Sequence, residues 1–466
     1  MSSRETSKVR RFREALRKEY ASRFPRSLAR FERDGGHLLD HVSHALRWNE
    51  PFMPLVGRAE GPVIEDLDGH RIVDYWQGHF TNILGHNPPR IREVLLEALG
   101  DGRGLQSGML HEVEAEVAEL ICERTGSETL RFTTSGSLGT FYAVVLARAF
   151  TRRDRVLKVF GGWHGSQPFG LKGVAPQEDS FDHLESEGLS ASIASEVVLT
   201  RFNDVDDLRR TFQRLGDRIA CFIIEPVLGA GGGVTATREY LVEARRLTER
   251  HGALLLCDEI ITAFRFRAGD LSTMYGIRPD LLILGKVLGG GMPVAAVAGR
   301  RDVLELSARE SSRVKFEGGT YSAHELSLIA SREVVRYLVA NEDRIYADLA
   351  AKGDRMRKEI GRIAAEAGVP VQLLDPREDR LAAGSLVFVH LVREEAAAPP
   401  SCPEELIAAH HPLISERLWK SVLLLEDVSA RTGLGAISTA HGDEHLDRTL
   451  EGYRAGFERV RRAGQA

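Results

Sequence analysis

The chain has 466 residues, 43% of them hydrophobic and 28% charged, with a formal net charge of -5. That balance suits a globular protein with a large core and two domains, and its slightly acidic sign offers nothing to nucleic acid or to an acidic membrane. No apolar run reaches the roughly 18–20 residues that span a bilayer. The N-terminal MSSRETSKVRRFREALRKEY is charged throughout and lacks the apolar centre of a secretory signal. Cys122, Cys221, Cys257 and Cys402 lie far apart, with no CxxC or Cys/His metal spacing. The expectation is a reduced, cytoplasmic protein without a metal site.

In chain order, residues 5–33 carry a charged helical pattern, RRFREALRKEYASRF, closed by Gly35-Gly36. Its basic face suits solvent or subunit packing. Two alternating runs, VIEDL and RIVDYW, flank Asp68-Gly69 and predict a β-hairpin. From 91 to 300, short apolar runs (RVLKVF, IACFIIEPV, ALLLCDEI, LLILG) alternate with helical stretches such as FYAVVLARAF and REYLVEARRLTERHG. That alternation predicts an α/β domain with a mostly parallel sheet flanked by helices. Beyond 330 a long helical run, LSLIASREVVRYLVANEDRIYADLAAKGDRMRKEIGRIAAEAG, is followed by SLVFVHLV and SVLLLE, both read as strands. HLDRTLEGYRAGFERVRR reads as a closing helix, and REEAAAPPSCPEE as a surface loop. The predicted division is an N-terminal helix and hairpin segment (1–90), a large α/β domain (91–329) and a small α+β domain (330–466).

Sites in such domains lie at strand ends. Asp258 and Glu259 follow ALLLC directly, and Lys286 follows LLILG. The two ends are 28 residues apart, from 258 to 286, with a helix-length connection. That spacing predicts neighbouring strands, with a carboxylate and an amine on one rim. A lysine there could simply snorkel or pair, but the glycines of GKVLGGG leave little bulk around the amine, as a flat ligand requires. Upstream, Ser135, Gly136 and Ser137 stand where a strand-like run turns into a helix. Such a turn binds phosphate, although it is also an ordinary N-cap. In FGGWHGS, Trp163 is either a core-edge residue or a surface for stacking on a planar ring. Phosphate turn, aromatic, carboxylate and lysine together suit pyridoxal 5'-phosphate (PLP), whose aldehyde a lysine holds as a Schiff base while an acid keeps the ring nitrogen protonated. The freed lysine amine then serves as general base and acid.

The chain resembles the class III (subgroup II) aminotransferases of PLP fold type I, in their glutamate-1-semialdehyde aminomutase-like branch, from residue 35 to the C-terminus. The motifs that carry the resemblance are DLDGHRIVDYWQGHFTNILGH (66–86), TSGSLGT (134–140), WHGS (163–166), DEIITAFR (258–265), GKVLGGGMPVAAVAGR (285–300) and FEGGTYSAHELSLIA (316–330). It implies Lys286 as the Schiff-base lysine, Asp258 as partner of the ring nitrogen, and Ser135, Gly136 and Ser137 on the phosphate. Trp163 replaces a stacked tyrosine, and Ile260 packs on the ring's other face. Thr320 matches a threonine reaching the phosphate from the neighbouring subunit, which implies a homodimer with shared sites. Arg47 matches an arginine that grips the substrate carboxylate. Glu259 and Arg265 are expected to form a structural pair, and His164 to orient or hold its loop. Glu225 matches a family position whose role stays open. Departures lie at the substrate end: Leu228 and Ala230 where Gln or Asn often face the ring, Gly78-His79 for the aminomutase Ser-Trp, and Gly433 for its glutamate. The implied function is an aminotransferase acting between a small-molecule amino donor and an oxo acceptor. Glutamate-1-semialdehyde 2,1-aminomutase is the alternative, and other PLP chemistry or non-catalytic PLP binding is more remote.

Overall fold

Around Asp68-Gly69 the chain turns as its alternation predicts. Strands β2 (Val63–Asp66) and β3 (Arg71–Asp74) pair antiparallel, with β1 (Val56–Glu60) on the outer edge. The structure, a computed structural model, describes residues 7–174, 184–374, 384–394, 400–410 and 417–463.

The central sheet has seven strands: β4 (Thr129–Thr133), β5 (Arg155–Val159), β6 (Val197–Thr200), β7 (Ile219–Ile224), β8 (Leu254–Asp258), β9 (Leu281–Leu284) and β10 (Ala295–Gly299). Their spatial order is β4-β10-β9-β8-β7-β5-β6. β10 runs antiparallel to both of its neighbours, and the other six strands are parallel. Every residue of β7, β8 and β9 is buried, because helices such as Gly136–Thr151 and Arg238–His251 flank the sheet. Burial on both faces is why these strands are continuous apolar runs without alternation. β8 and β9 are adjacent, with Asp258 opposite Ile283, so the expected neighbouring ends exist. The glycine-rich stretch after Lys286 is the connection that reverses the chain into β10.

Farther along, β11 (Val371–Leu373), β12 (Leu386–Leu391) and β14 (Gly433–Ala436) form a three-stranded sheet. β13 (Val428–Ser429) pairs parallel with β3, joining the N-terminal hairpin to the C-terminal part. The long helical run is two helices, Glu325–Ala340 and Glu342–Ala367, separated at Asn341. The N-terminal pattern likewise splits, into Ser7–Arg23 and Pro25–Arg33, since proline is welcome only in a first turn.

One expectation is wrong. SVLLLE is not a strand but lies in the helix Trp419–Leu425 and the residue after it. A run of four apolar residues, Val422 to Leu425, suits a buried strand or a buried helix equally well. Here Ser421 to Leu425 are all buried, and Trp419 stacks on Phe457 of the closing helix Asp443–Arg462 with centroids 5.1 Å apart. Of the loop REEAAAPPSCPEE, residues 395–399 lie outside the described residues, and its end opens a helix, Pro403–Ala409. No helix among the described residues is long and apolar enough to cross a membrane.

Candidate active site

Because β4, β5, β7, β8 and β9 are parallel, their carboxyl ends share one rim. Lys286 leaves β9, Asp258 ends β8, Glu225 follows β7, and the loop with Trp163 and His164 follows β5. Lys286 is half-buried and has φ of 47°, in the left-handed region. That conformation costs a non-glycine residue about 1–2 kcal/mol, and such strain gathers at functional sites. Burial lowers its amine to a pKa of about 8, against the pull of Asp258 and Glu225. About a tenth of the amine is therefore uncharged at neutrality, far more than for a solvated lysine, and the uncharged form is the nucleophile.

Asp258 is buried, and its Oδ2 lies 2.9 Å from His164 Nδ1. Burial above all pushes His164 down, with Asp258 opposing. A neutral His164 donates from Nδ1 to Asp258. Its buried Nε2 has no hydrogen-bond partner among the described residues. Glu225 accepts from the backbone N–H groups of Trp163 (2.7 Å) and Gly229 (3.2 Å). Burial first, and the charge of Asp258 second, push Glu225 up to about 8. At neutral pH Glu225 is thereby pushed toward its protonated form beside Asp258.

The phosphate-type turn stands on the same rim. Ser135 caps the helix Gly136–Thr151, its Oγ accepting from Leu138 N at 3.3 Å. Ser137 Oγ accepts from Ser166 N (3.3 Å), and Thr140 Oγ1 donates to the His164 carbonyl (2.6 Å). These bonds lock the turn to the WHGS loop. Ile260 lies between turn and lysine: a Cβ added at Gly136 would meet its Cδ1 at 2.5 Å, and one at Gly285 at 3.1 Å. Gly136→Ala is therefore expected to cost about 1–3 kcal/mol by overpacking. Thermal melting checks this, and Ile260→Val, which removes the offending methyl, should restore most of the loss.

Among the described residues, two expected site residues are exposed and make no hydrogen bond to this cluster. Thr320 is exposed, its carbonyl accepting from Gln106 Nε2 at 3.0 Å. Arg47 is exposed in the short turn Ala45–Arg47, with Nη1 3.2 Å from Ser43 Oγ. The expected Glu259–Arg265 pair does not form. Glu259 accepts from the N–H groups of Leu271 and Ser272 and from the hydroxyls of Ser272 and Thr262. Arg265 donates to the carbonyls of Ile261 and Phe80. Successive residues of an extended strand end face opposite sides. Asp258 looks to the rim, while Glu259 is consumed by the loop behind it.

Sequence reasoning missed the turn Gln77–Phe80. All four residues are left-handed, with φ of 47°, 61°, 63° and 67°, where L-residues normally occur singly. Asp74 anchors one end, accepting from Gln77 N at 2.8 Å through Oδ2 and from Gln77 Nε2 at 2.6 Å through its carbonyl. Arg265 anchors the other, at the Phe80 carbonyl. The turn sets His79 against Trp76 and His44, with ring centroids at 4.6 and 5.1 Å. Burial, then the nearby His44, Arg47, Lys286 and Arg431, hold His79 down at about 4. Gly78 was the single local signal.

The family model for aminotransferase class-III matches residues 45–373. The glutamate-1-semialdehyde 2,1-aminomutase of Methanothermobacter thermautotrophicus is 32% identical over 426 residues, 90% of this chain and 96% of that protein. An omega-transaminase from Sphaerobacter thermophilus is 27% identical and superimposes with a TM-score of 0.82, over 95% of this chain and 98% of its own. A solved transaminase with PLP bound is 25% identical, with a TM-score of 0.80 over 96% and 99%. The fold is PLP fold type I, the cofactor is pyridoxal 5'-phosphate, and the chemistry is that of an aminotransferase or aminomutase. The chain belongs to the class-III aminotransferases.

Proposed function

We propose that this enzyme moves an amino group between an amino acid or amine and an oxo compound, releasing the oxo product. The observation that carries the proposal is the convergence of Lys286, Asp258, Glu225 and His164 on adjacent parallel strand ends. The donor set fits PLP: a half-buried, partly neutral amine, a buried aspartate, an N-terminal turn open to phosphate, and a buried imidazole nitrogen left bare. When bound, PLP supplies an electron-withdrawing ring that spreads negative charge from the substrate carbon. Lys286 would hold it covalently and, once freed, take and return the proton at that carbon. Asp258 would keep the ring nitrogen protonated through a charge-assisted bond. Ser135, Gly136 and Ser137 would hold the phosphate, and Trp163 and Ile260 the two ring faces. Thr320 of a second subunit would complete the phosphate site in a homodimer. The same proposal includes a cytoplasmic location and the division into 1–90, 91–329 and 330–466.

Release of the product, rather than intramolecular transfer, is favoured by position 433. There φ is 89°, and an added Cβ would lie 2.0 Å from the Val389 carbonyl oxygen. No glutamate can stand where the resemblance puts the aminomutase one. Adding amino donors singly to the PLP-loaded enzyme tests the proposal. At least one should convert the cofactor to its amine form spectrally, with a keto product released. Efficient conversion of glutamate-1-semialdehyde to 5-aminolevulinate without external donor would overturn it.

Arg47 would grip the substrate carboxylate through two parallel N–H bonds, which lysine does not reproduce. Arg47→Lys should raise KM about tenfold for carboxylate-bearing substrates, the scale of one hydrogen bond to a charge. Simple amines should show a smaller change. Steady-state kinetics on both substrate types checks this.

A further inference from the structure

Lys158, in β5, is fully buried. Its Nζ meets no carboxylate among the described residues. Instead it donates to three carbonyls, Gly162 (2.9 Å), Gly170 (3.1 Å) and Lys172 (2.7 Å). An ammonium has three N–H donors and no acceptor, so all three are used, and all three partners lie on the segment 162–172. Burying a charge costs several kcal/mol, and an apolar residue would suit a buried strand better on transfer grounds. An apolar residue would, however, leave three carbonyls of one loop without their donor.

That loop is the one that carries Trp163 and His164. Gly162, whose carbonyl Lys158 takes, immediately precedes Trp163. The N–H of Trp163 is held by Glu225, the ring of His164 by Asp258, and the carbonyl of His164 by Thr140 and by Gln167 Nε2 (3.2 Å). The bonds from Glu225, Asp258 and Thr140 reach in from other elements of the site, while that from Gln167 is internal to the loop. Lys158 is the tie from beneath, and it gathers both ends of the loop at one point.

We propose that Lys158 is a positioning residue of this active site, whose ammonium gathers the Gly162, Gly170 and Lys172 carbonyls and so fixes the loop that presents Trp163 and His164 beside Asp258 and Lys286. It touches neither substrate nor cofactor and acts through the loop. The inference rests on the proposed function in one respect, that Trp163 faces the PLP ring.

The test uses the full chain with Lys158→Met, which keeps the length of the side chain and removes its donors. Hydrogen exchange of the apoprotein, followed by mass spectrometry, reads the loop without any cofactor. Exchange in 160–172 should rise at least about tenfold, the scale of losing bonds to a charged donor, with the rest of the sheet unchanged. PLP affinity by equilibrium dialysis should fall about tenfold or more, and the visible circular dichroism of the bound cofactor should weaken. In a Trp163→Ala background the affinity loss from Lys158→Met should shrink below about threefold, since coupled residues are non-additive. Unchanged exchange in the loop, or the same affinity loss with and without Trp163, would overturn the proposal. So would a loosened loop with unaltered affinity and dichroism. If the Met variant does not fold, Lys158→Gln, which keeps two N–H donors, is measured in the same way with a smaller effect expected. Failure of the ring-facing role of Trp163 shows separately, as a Trp163→Ala protein that binds PLP normally.

Discussion

Lys286→Ala should fold, bind PLP only noncovalently, and lose amino transfer by about 10^4-fold or more, because one side chain supplies both the nucleophile and the proton carrier. Absorbance shows the missing covalent bond, and single-turnover kinetics the lost rate. Full activity in this variant would end the assignment. The setting of Lys286 adds a pH signature. Only the uncharged amine attacks the aldehyde, and burial brings this amine down to about 8. Covalent capture of PLP by the wild-type apoprotein should therefore rise with pH through about 8, well below the range of a solvated lysine. A midpoint near that of free lysine would show that the amine is not desolvated as the structure has it.

Asp258→Asn is expected to fold and bind PLP while amino transfer falls about 10^2- to 10^3-fold, the scale of removing one preorganised partner of a developing charge. The amide keeps an oxygen for the Nδ1–H of His164 but carries no charge to hold a protonated ring nitrogen. The same change removes the charge that helps raise Glu225. Loss of that repulsion lowers the Glu225 pKa, and with it any acid limb of cofactor binding set by this residue. Cofactor titration at several pH values, beside steady-state rates, reads both effects. Wild-type rates in Asp258→Asn would mean that another residue meets the ring nitrogen.

Much of this was legible in the sequence, for a physical reason that names particular residues. ALLLC and LLILG are continuous apolar runs because both faces of β8 and β9 are covered. That pattern identifies them as buried parallel strands and places Asp258 and Lys286 at their carboxyl ends. Ser135 before a helical stretch is likewise a local fact: an N-cap needs only its own backbone three residues on.

What stayed hidden depends on neighbours distant in the chain. SVLLLE became helical because Trp419 and Ser421 to Leu425 are buried, with Trp419 stacked on Phe457 of Asp443–Arg462, which no local period records. Glu259 and Arg265 parted because the carboxylate is taken up by donors of Leu271, Ser272 and Thr262, while the guanidinium serves the carbonyls of Ile261 and Phe80. The left-handed run at Gln77–Phe80 is held from outside by Asp74 and Arg265. Lys158 is charged in the middle of an apolar strand, a local misfit that makes sense only once a loop 162–172 brings three carbonyls to it. Local composition was enough to place the parallel sheet and the lysine and carboxylate on its rim, because strand burial is written in consecutive apolar residues. Which charges meet and which strained turns persist emerged only from the folded chain, because those depend on desolvation and on hydrogen bonds supplied from far along it.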